Sequence, residues 1–160
     1  MPHLITNILL LISLSQAHSI NQNREPTAID DNFTILLPFE TTKTEEIDLI
    51  TLTGSDTIVQ IVINRKDIGS SASDSLMILA YGDGAIAGMN VKEPHELHSD
   101  NYKSVNDILL RIMVIRSSNG FFTMVYYSNS SFVYTIRFTF ADRKVDPEYV
   151  EEILKTLERR

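Results

Sequence analysis

Residues 131–140 alternate strictly along the chain. Phe132, Tyr134, Ile136, Phe138 and Phe140 fall on one side, and Val133, Thr135, Arg137 and Thr139 on the other. Successive side chains of a strand point to opposite faces, so this run predicts a half-buried strand with an aromatic inner face. Two further apolar runs precede it, Asp107–Arg116 and Phe121–Tyr127. Between them Ser117-Ser118-Asn119-Gly120 carries an Asn-Gly turn signal, and Ser128-Asn129-Ser130 makes a second tight connection. The three runs therefore read as an antiparallel meander. Earlier, Phe33–Phe39 alternates in the same way. Pro38 has no N–H to give to a ladder and belongs at a strand end or edge. Ile47–Thr53 and Thr57–Arg65, joined by Gly54-Ser55-Asp56, read as a hairpin. Ile58, Val59, Ile61, Val62 and Ile63 load both faces of its second arm, as expected of an interior strand covered on both sides.

Two segments switch to helical spacing. Ser73 or Asp74 can cap a helix over Ser75–Tyr81, with Leu76, Met77, Leu79 and Ala80 as its apolar face. Gly82, Gly84 and Gly88 are expected to end it. Ala85–Val91 reads either as more helix or as a short strand, and polar Lys92–Lys103, with Pro94, reads as a loop. The last element is a helix over Pro147–Glu158, with Asp146 as N-cap and Pro147 at the first helical position. Tyr149, Val150, Ile153, Leu154 and Leu157 form one stripe, and Glu151 and Lys155 have the spacing of an ion pair. Such a stripe needs an apolar surface to cover, and the open face of the sheet supplies it. The expected fold class is α+β, an antiparallel sheet of about six strands with a C-terminal helix and one mid-chain helix packed on it.

The beginning of the chain follows another pattern. Leu4–Leu14 is a mainly apolar stretch, and residues 1–17 contain no Asp, Glu, Lys or Arg. A membrane-spanning helix needs ~20 apolar residues, so this stretch is too short and matches the core of a secretory signal peptide. Ser15 and Ala17 supply the small residues of a cleavage site. The expected organisation is a signal peptide over 1–17, a flexible mature N-terminus over 18–31 and a single domain over 32–160. The expected location is secreted or periplasmic. The chain has 160 residues and no Cys, which excludes disulfides, thiolate metal sites and a Cys nucleophile. A net charge of −7 and a pI of about 5.0 argue against electrostatic binding to nucleic acid. Asn32-Phe33-Thr34 and Asn129-Ser130-Ser131 are acceptor-type sequons, relevant only where secreted proteins are glycosylated.

The meander ending in Tyr134-Thr-Ile-Arg-Phe-Thr-Phe140, followed by the helix Val150-Glu-Glu-Ile-Leu-Lys-Thr-Leu157, resembles the Mog1/PsbP/DcrB-like superfamily. Phe33-Thr-Ile-Leu-Leu-Pro38 matches its opening strand, and the likeness spans about residues 32–158. The superfamily has no shared active site. Its members are small-GTPase partners, photosystem accessory subunits or envelope lipoproteins, and this chain lacks the Cys of the last group. The resemblance implies the fold and a non-enzymatic role, and it carries no residue roles over.

The chemistry-bearing residues point the same way. His95-Glu96-Leu97-His98 with Asp100 invites a zinc reading, but the zincin motif needs His-Glu-x-x-His on a helix. This spacing is one residue short and follows Pro94. Tyr81-Gly-Asp-Gly-Ala-Ile-Ala-Gly88 resembles a phosphate-binding loop, yet its glycines follow a helix instead of opening one. No serine has a nucleophile-elbow context. No catalytic, cofactor-binding or metal residue is therefore assigned, and ligand-binding residues are unknown. Glu25, Asp30, Asp31, Glu40, Glu45, Glu46, Asp48 and Asp56, against the single base Lys43, make residues 25–56 acidic. This reads as a solvated hairpin or as a docking face for a basic partner. The function expected is an exported, non-enzymatic binding or accessory module acting through protein–protein contact. The alternatives are a carrier of a small apolar ligand, held between sheet and helix, or an enzyme.

Overall fold

In the computed structural model, residues 24–54, 58–69, 73–89, 95–118, 120–129, 131–140 and 147–160 are described. The meander forms as its alternation dictates. Strands β1 (Thr27–Ala28), β2 (Phe33–Ile35), β3 (Thr41–Glu46), β4 (Leu49–Gly54) and β5 (Ile58–Asp67) come first. Helix α1 (Asp74–Met89) is followed by β6 (Glu96–Val105), β7 (Ile108–Ser117), β8 (Gly120–Ser128) and β9 (Phe132–Phe140). Helix α2 (Pro147–Leu154) and β10 (Glu158–Arg159) close the chain. The large sheet has seven antiparallel strands in the order β3-β4-β5-β9-β8-β7-β6, and a small sheet has the order β1-β2-β10. The architecture is α+β.

The two helices lie on opposite faces of the large sheet. On one face, Val150, Ile153 and Leu154 of α2, with Leu157 after it, join Phe33, Ile35 and Leu37 and the inward rows of β4, β5, β7, β8 and β9 in one buried cluster. Tyr134, Ile136 and Phe138 belong to it, as the alternation of β9 requires. On the other face, α1 covers Met113 and Ile115 of β7 and Tyr126 of β8 with Ile78, in a smaller cluster.

Five sequence expectations are corrected. Lys92–Lys103 is not all loop, since β6 begins at Glu96 and pairs with β7 along its length. An edge strand needs no apolar alternation on its solvated side, so the polar composition hid it. Its turn, Asn106-Asp107, has both residues at positive φ (46° and 61°), the geometry of a tight two-residue hairpin loop. The glycines do not end α1, which runs through Gly82, Gly84 and Gly88 to Met89. Helix α2 stops at Leu154, where Thr156 and Leu157 donate to the carbonyls of Ile153 and Leu154 in tightened turns. Glu151 pairs with Lys103 at 2.6 Å instead of Lys155, which meets Glu152. Finally, part of the stretch expected to be flexible, 18–31, is packed: β1 pairs with β2, and Ile29 and Asp30 are buried.

Two smaller differences follow from pairing. The expected strand Phe33–Phe39 is three residues long, because the N–H and carbonyl of Leu36 bond to the Thr156 hydroxyl rather than to a ladder. The outer face of β5 is left half-exposed at Val62, since α1 sits over β7 and β8 only. The Asn119 turn and the Asp146 cap lie outside the described residues.

Candidate functional site

The feature that organises the α1 side is a buried guanidinium. Arg111 projects from β7 on the face that α1 covers, and its side chain is 4% exposed. Nε and Nη2 donate to the two carboxylate oxygens of Asp100 on β6 at 2.9 and 2.7 Å, a bidentate pair. Nη1 donates to the Leu79 carbonyl at 2.9 Å and lies 2.9 Å from the Asp83 carboxylate. The Tyr102 ring lies 5.5 Å from the guanidinium carbon. The hydrogen bonds it donates to Asp100 hold the arginine proton more firmly than burial loosens it, so its pKa is raised. One cation thus ties the helix to two strands.

This clamp explains Gly82. A Cβ there would sit 2.3 Å from Arg111 Nη1, while Gly84 and Gly88 have open space around theirs. Glycine is a weak helix former, but only it lets the helix backbone settle on the guanidinium. The phosphate-loop resemblance of Tyr81–Gly88 is therefore a helix-packing feature: the segment is helical throughout.

The outward side of α1 is unusual. Leu76 and Leu79 are 61% and 44% exposed, and Ala80, Gly84, Ala87 and Gly88 are exposed beside them. Asp83 is the only charged residue among the exposed positions of α1. A surface helix ordinarily carries polar residues opposite its buried stripe. Here both sides are apolar or small, which leaves an apolar strip in water.

The expected metal candidates are held apart. The ring of His95 packs edge-on to Phe122 at 6.0 Å, and that of His98 edge-on to Phe121 at 5.5 Å. Phe121 and Phe122 are neighbours on β8 and face opposite sides of the sheet. His95 Nδ1 donates to the Met89 carbonyl at 2.9 Å, and Asp100 is engaged by Arg111. His98 sits where the β6 ladder shifts register, a bulge. Among the described residues no group of three or more His, Asp or Glu is arranged to hold a metal. A cleft of about 390 Å³ beside them is lined by His95, Glu96, Arg116, Ser117 and Ser118.

The acidic segment also divides. Glu45, Glu46 and Asp48 are exposed on the β3–β4 hairpin, and Lys43 pairs with Glu45 at 3.0 Å. Asp30 is different. Its carboxylate accepts from the Tyr134 hydroxyl (2.7 Å), the N–H groups of Asn32 (2.8 Å) and Phe33 (3.1 Å), and Arg65 (3.3 Å). Burial opposes its ionisation, but the bonds from Tyr134, Asn32 and Arg65 together outweigh that and lower its pKa. Tyr134 stacks on Tyr127 at 4.6 Å, and Phe33 meets both rings edge-on. The Tyr127 hydroxyl is buried and has no hydrogen-bond partner among the described residues. Sequence reading grouped Asp30 with solvated acids. The one available signal was its position, three residues before the buried Phe33.

The chain matches no protein-family model and no curated protein. Solved structures do match. Cyanobacterial PsbP (CyanoP) from Synechocystis sp. PCC 6803 superposes with a TM-score of 0.57 at 8% identity, over 84% of this chain and 90% of that one. The fold is PsbP-like. A second match, a crystal structure of a Bacteroides thetaiotaomicron protein, has a TM-score of 0.51 and 14% identity, over 80% of this chain and 45% of that one. The PsbP-like fold agrees with the resemblance read from Phe33–Pro38, Tyr134–Phe140 and Val150–Leu157. No helix among the described residues is long and apolar enough to cross a membrane.

Proposed function

We propose that this chain is an exported, non-enzymatic accessory module that works through protein–protein contact, with α1 as its contact element. The observation that carries the proposal is the exposure of Leu76 and Leu79 on a helix already packed by its other side. Solvated leucines on a helix surface whose one exposed charge is Asp83 gain from burial against a partner, at ~25 cal/mol per Å² removed from water. The PsbP-like fold supports an accessory role. Export rests on Leu4–Leu14 with Ser15 and Ala17. The carrier alternative lacks a comparable support, because Val150, Ile153, Leu154 and Leu157 fill the space between α2 and the sheet.

Site-specific photo-crosslinking in the native host tests the contact. A crosslinker at exposed Ala80 is expected to trap a discrete protein adduct, and one at exposed Thr44 none. The Ala80 adduct should vanish when Leu76→Asp and Leu79→Asp are combined without a change in thermal midpoint. Equal adducts from both positions, or none from Ala80, would overturn the reading. Export is tested separately by intact mass: the mature chain is expected to start at His18, and a mass that retains Met1–Ala17 would refute it.

A further inference from the structure

We propose that the partner binds as an extended, basic segment laid along β6, an added strand of the large sheet whose apolar side chains rest against the flank of α1. The inference rests on the reading of α1 as a contact surface and names the chemistry of what it contacts.

The edge comes first. β6 is terminal in the large sheet, with β7 on one side and no strand on the other among the described residues. One row of its backbone N–H and C=O groups therefore lacks a ladder partner, which is a template for strand addition. Protective charges on an edge work only when they are free. On β6 each is already engaged: Glu96 lies 3.8 Å from Arg116, Asp100 is gripped by Arg111, and Lys103 meets Glu151 at 2.6 Å. The opposite edge, β3, also has a paired charge, Lys43 with Glu45, but it keeps exposed Glu46 beside them and, among the described residues, no helix packs next to it. The bulge at His98 limits regular pairing on β6 to Ser99–Val105.

The shelf comes second. Among the described residues, α1 covers β7 and β8 and leaves the same face of β6 open. Register places Leu97 and Tyr102 on that face, opposite Ile115 and Arg111. They are 38% and 50% exposed, and Asp83, one turn after Leu79, meets the Arg111 that lies against Tyr102, which turns this side of α1 toward them. Among the described residues, four of the five exposed large apolar residues thus belong to α1 or to this face of β6; the fifth, Ile47, is in the turn between β3 and β4. A strand beside β6 turns every second side chain toward this flank.

Charge selects the occupant. Around the clamp one cation, Arg111, faces two carboxylates, Asp83 and Asp100, and Asp83 is 59% exposed. The flank keeps one negative charge in excess. A second copy of this chain, itself at −7, would add to that excess, whereas a segment bearing Lys or Arg neutralises it.

The test uses the full chain, isotope-labelled, titrated with a short capped peptide in which every second residue, the row that faces the flank, is valine or lysine in turn and the other row is threonine. The same peptide with glutamate for lysine, and one with alternate backbone amides methylated, serve as comparisons. Chemical-shift changes along Leu76–Asp83 and slowed amide exchange over Ser99–Val105 are expected with the lysine peptide. The glutamate peptide is expected to bind about tenfold more weakly, and Asp83→Asn to narrow that gap. Methylation should abolish the slowed exchange, since it removes the N–H donors a strand needs. If the helix flank responds while β6 amides exchange as in the free chain, strand addition is refuted and the contact surface stands. If neither responds, strand addition by a basic segment is refuted, and crosslinking at Ala80 decides the contact surface independently. A gap unchanged by Asp83→Asn refutes the charge selection.

Discussion

The two faces of the sheet are packed to different ends. On the α2 face, a short helix, a small terminal sheet and the segment around Asp30 close over a cluster that runs from β4 to β7. Every residue of the Tyr149–Leu157 apolar stripe except Tyr149 is at most 1% exposed there. On the α1 face, a helix of twice the length covers only two strands and is fastened by one guanidinium. The first arrangement spends its apolar residues inside the fold, and the second leaves some in water. Stability should therefore reside mainly on the α2 face, and association on the α1 face.

The largest expected effect breaks the α2 face. Leu154→Ala should cost about 2–5 kcal/mol, the transfer of a buried leucine plus the cavity it leaves. Glu151→Ala, which removes only the partly exposed pair with Lys103, should cost under about 1 kcal/mol. Urea melts of the two variants compare them directly. If both unfold at the wild-type midpoint, α2 is not the closing element.

Asp30→Ala should come next, at about 2–3 kcal/mol, because it strands the Tyr134 hydroxyl, the buried N–H of Phe33 and the half-buried N–H of Asn32. The same carboxylate sets a pH dependence. Its folded pKa lies below the unfolded value, so its contribution is fully present above the unfolded pKa, ~3.9. The contribution is lost as pH falls through the folded value. Chemical denaturation at neutral pH and at successively lower pH should show a stability loss that Asp30→Asn lacks. An equally steep acid limb in the variant would remove Asp30 from the account.

The α1 face gives smaller effects with opposed signs. Gly84→Ala, in open helix, should stabilise by about 0.5–1 kcal/mol through helix propensity. Gly82→Ala places its methyl against Arg111 and should instead destabilise by about 1–2 kcal/mol. Thermal melts that give the same sign for both would show that the guanidinium yields without loss. The smallest contrast lies within one aromatic stack. Tyr127→Phe removes a buried hydroxyl with no partner and should be neutral or stabilising by up to about 1 kcal/mol. Tyr134→Phe removes a donor to a carboxylate and should cost about 1–2 kcal/mol. Denaturation midpoints of the pair check it.

Much of this was legible in the residues. Strict alternation in β9, the apolar runs of β7 and β8 and the stripe of α2 each have one half-buried solution, and the structure adopts it. The elements that escaped notice take their form from partners distant in sequence. β6 is a strand because β7 offers it a ladder, not because Glu96–Val105 alternates. Gly82 looked like a helix stop because propensity is local, whereas the guanidinium that requires glycine arrives from β7. Asp30 looked solvated because charge in sequence does not reveal that Tyr134 and Arg65 will converge on it. The candidate surface was half legible: Leu76 and Leu79 were recognised as an apolar helical face, but were assigned inward because the second apolar side, Ile78 with Tyr81 and Ile86, was not separated from them.

The strand order has a consequence for how the chain reaches this state. β3-β4-β5 and β6-β7-β8-β9 are each runs of neighbours in sequence, so each zips through short turns. Among the described residues only the β5–β9 ladder, Ile61 against Phe138 and Ile63 against Ile136, joins the two runs, and its arms are almost half the chain apart. Closing that separation costs entropy before any ladder bond is gained. Folding is thus expected to proceed as two local meanders whose meeting sets the rate. The seam between them passes through the centre of the buried cluster, so the slow step and the main gain in apolar burial coincide.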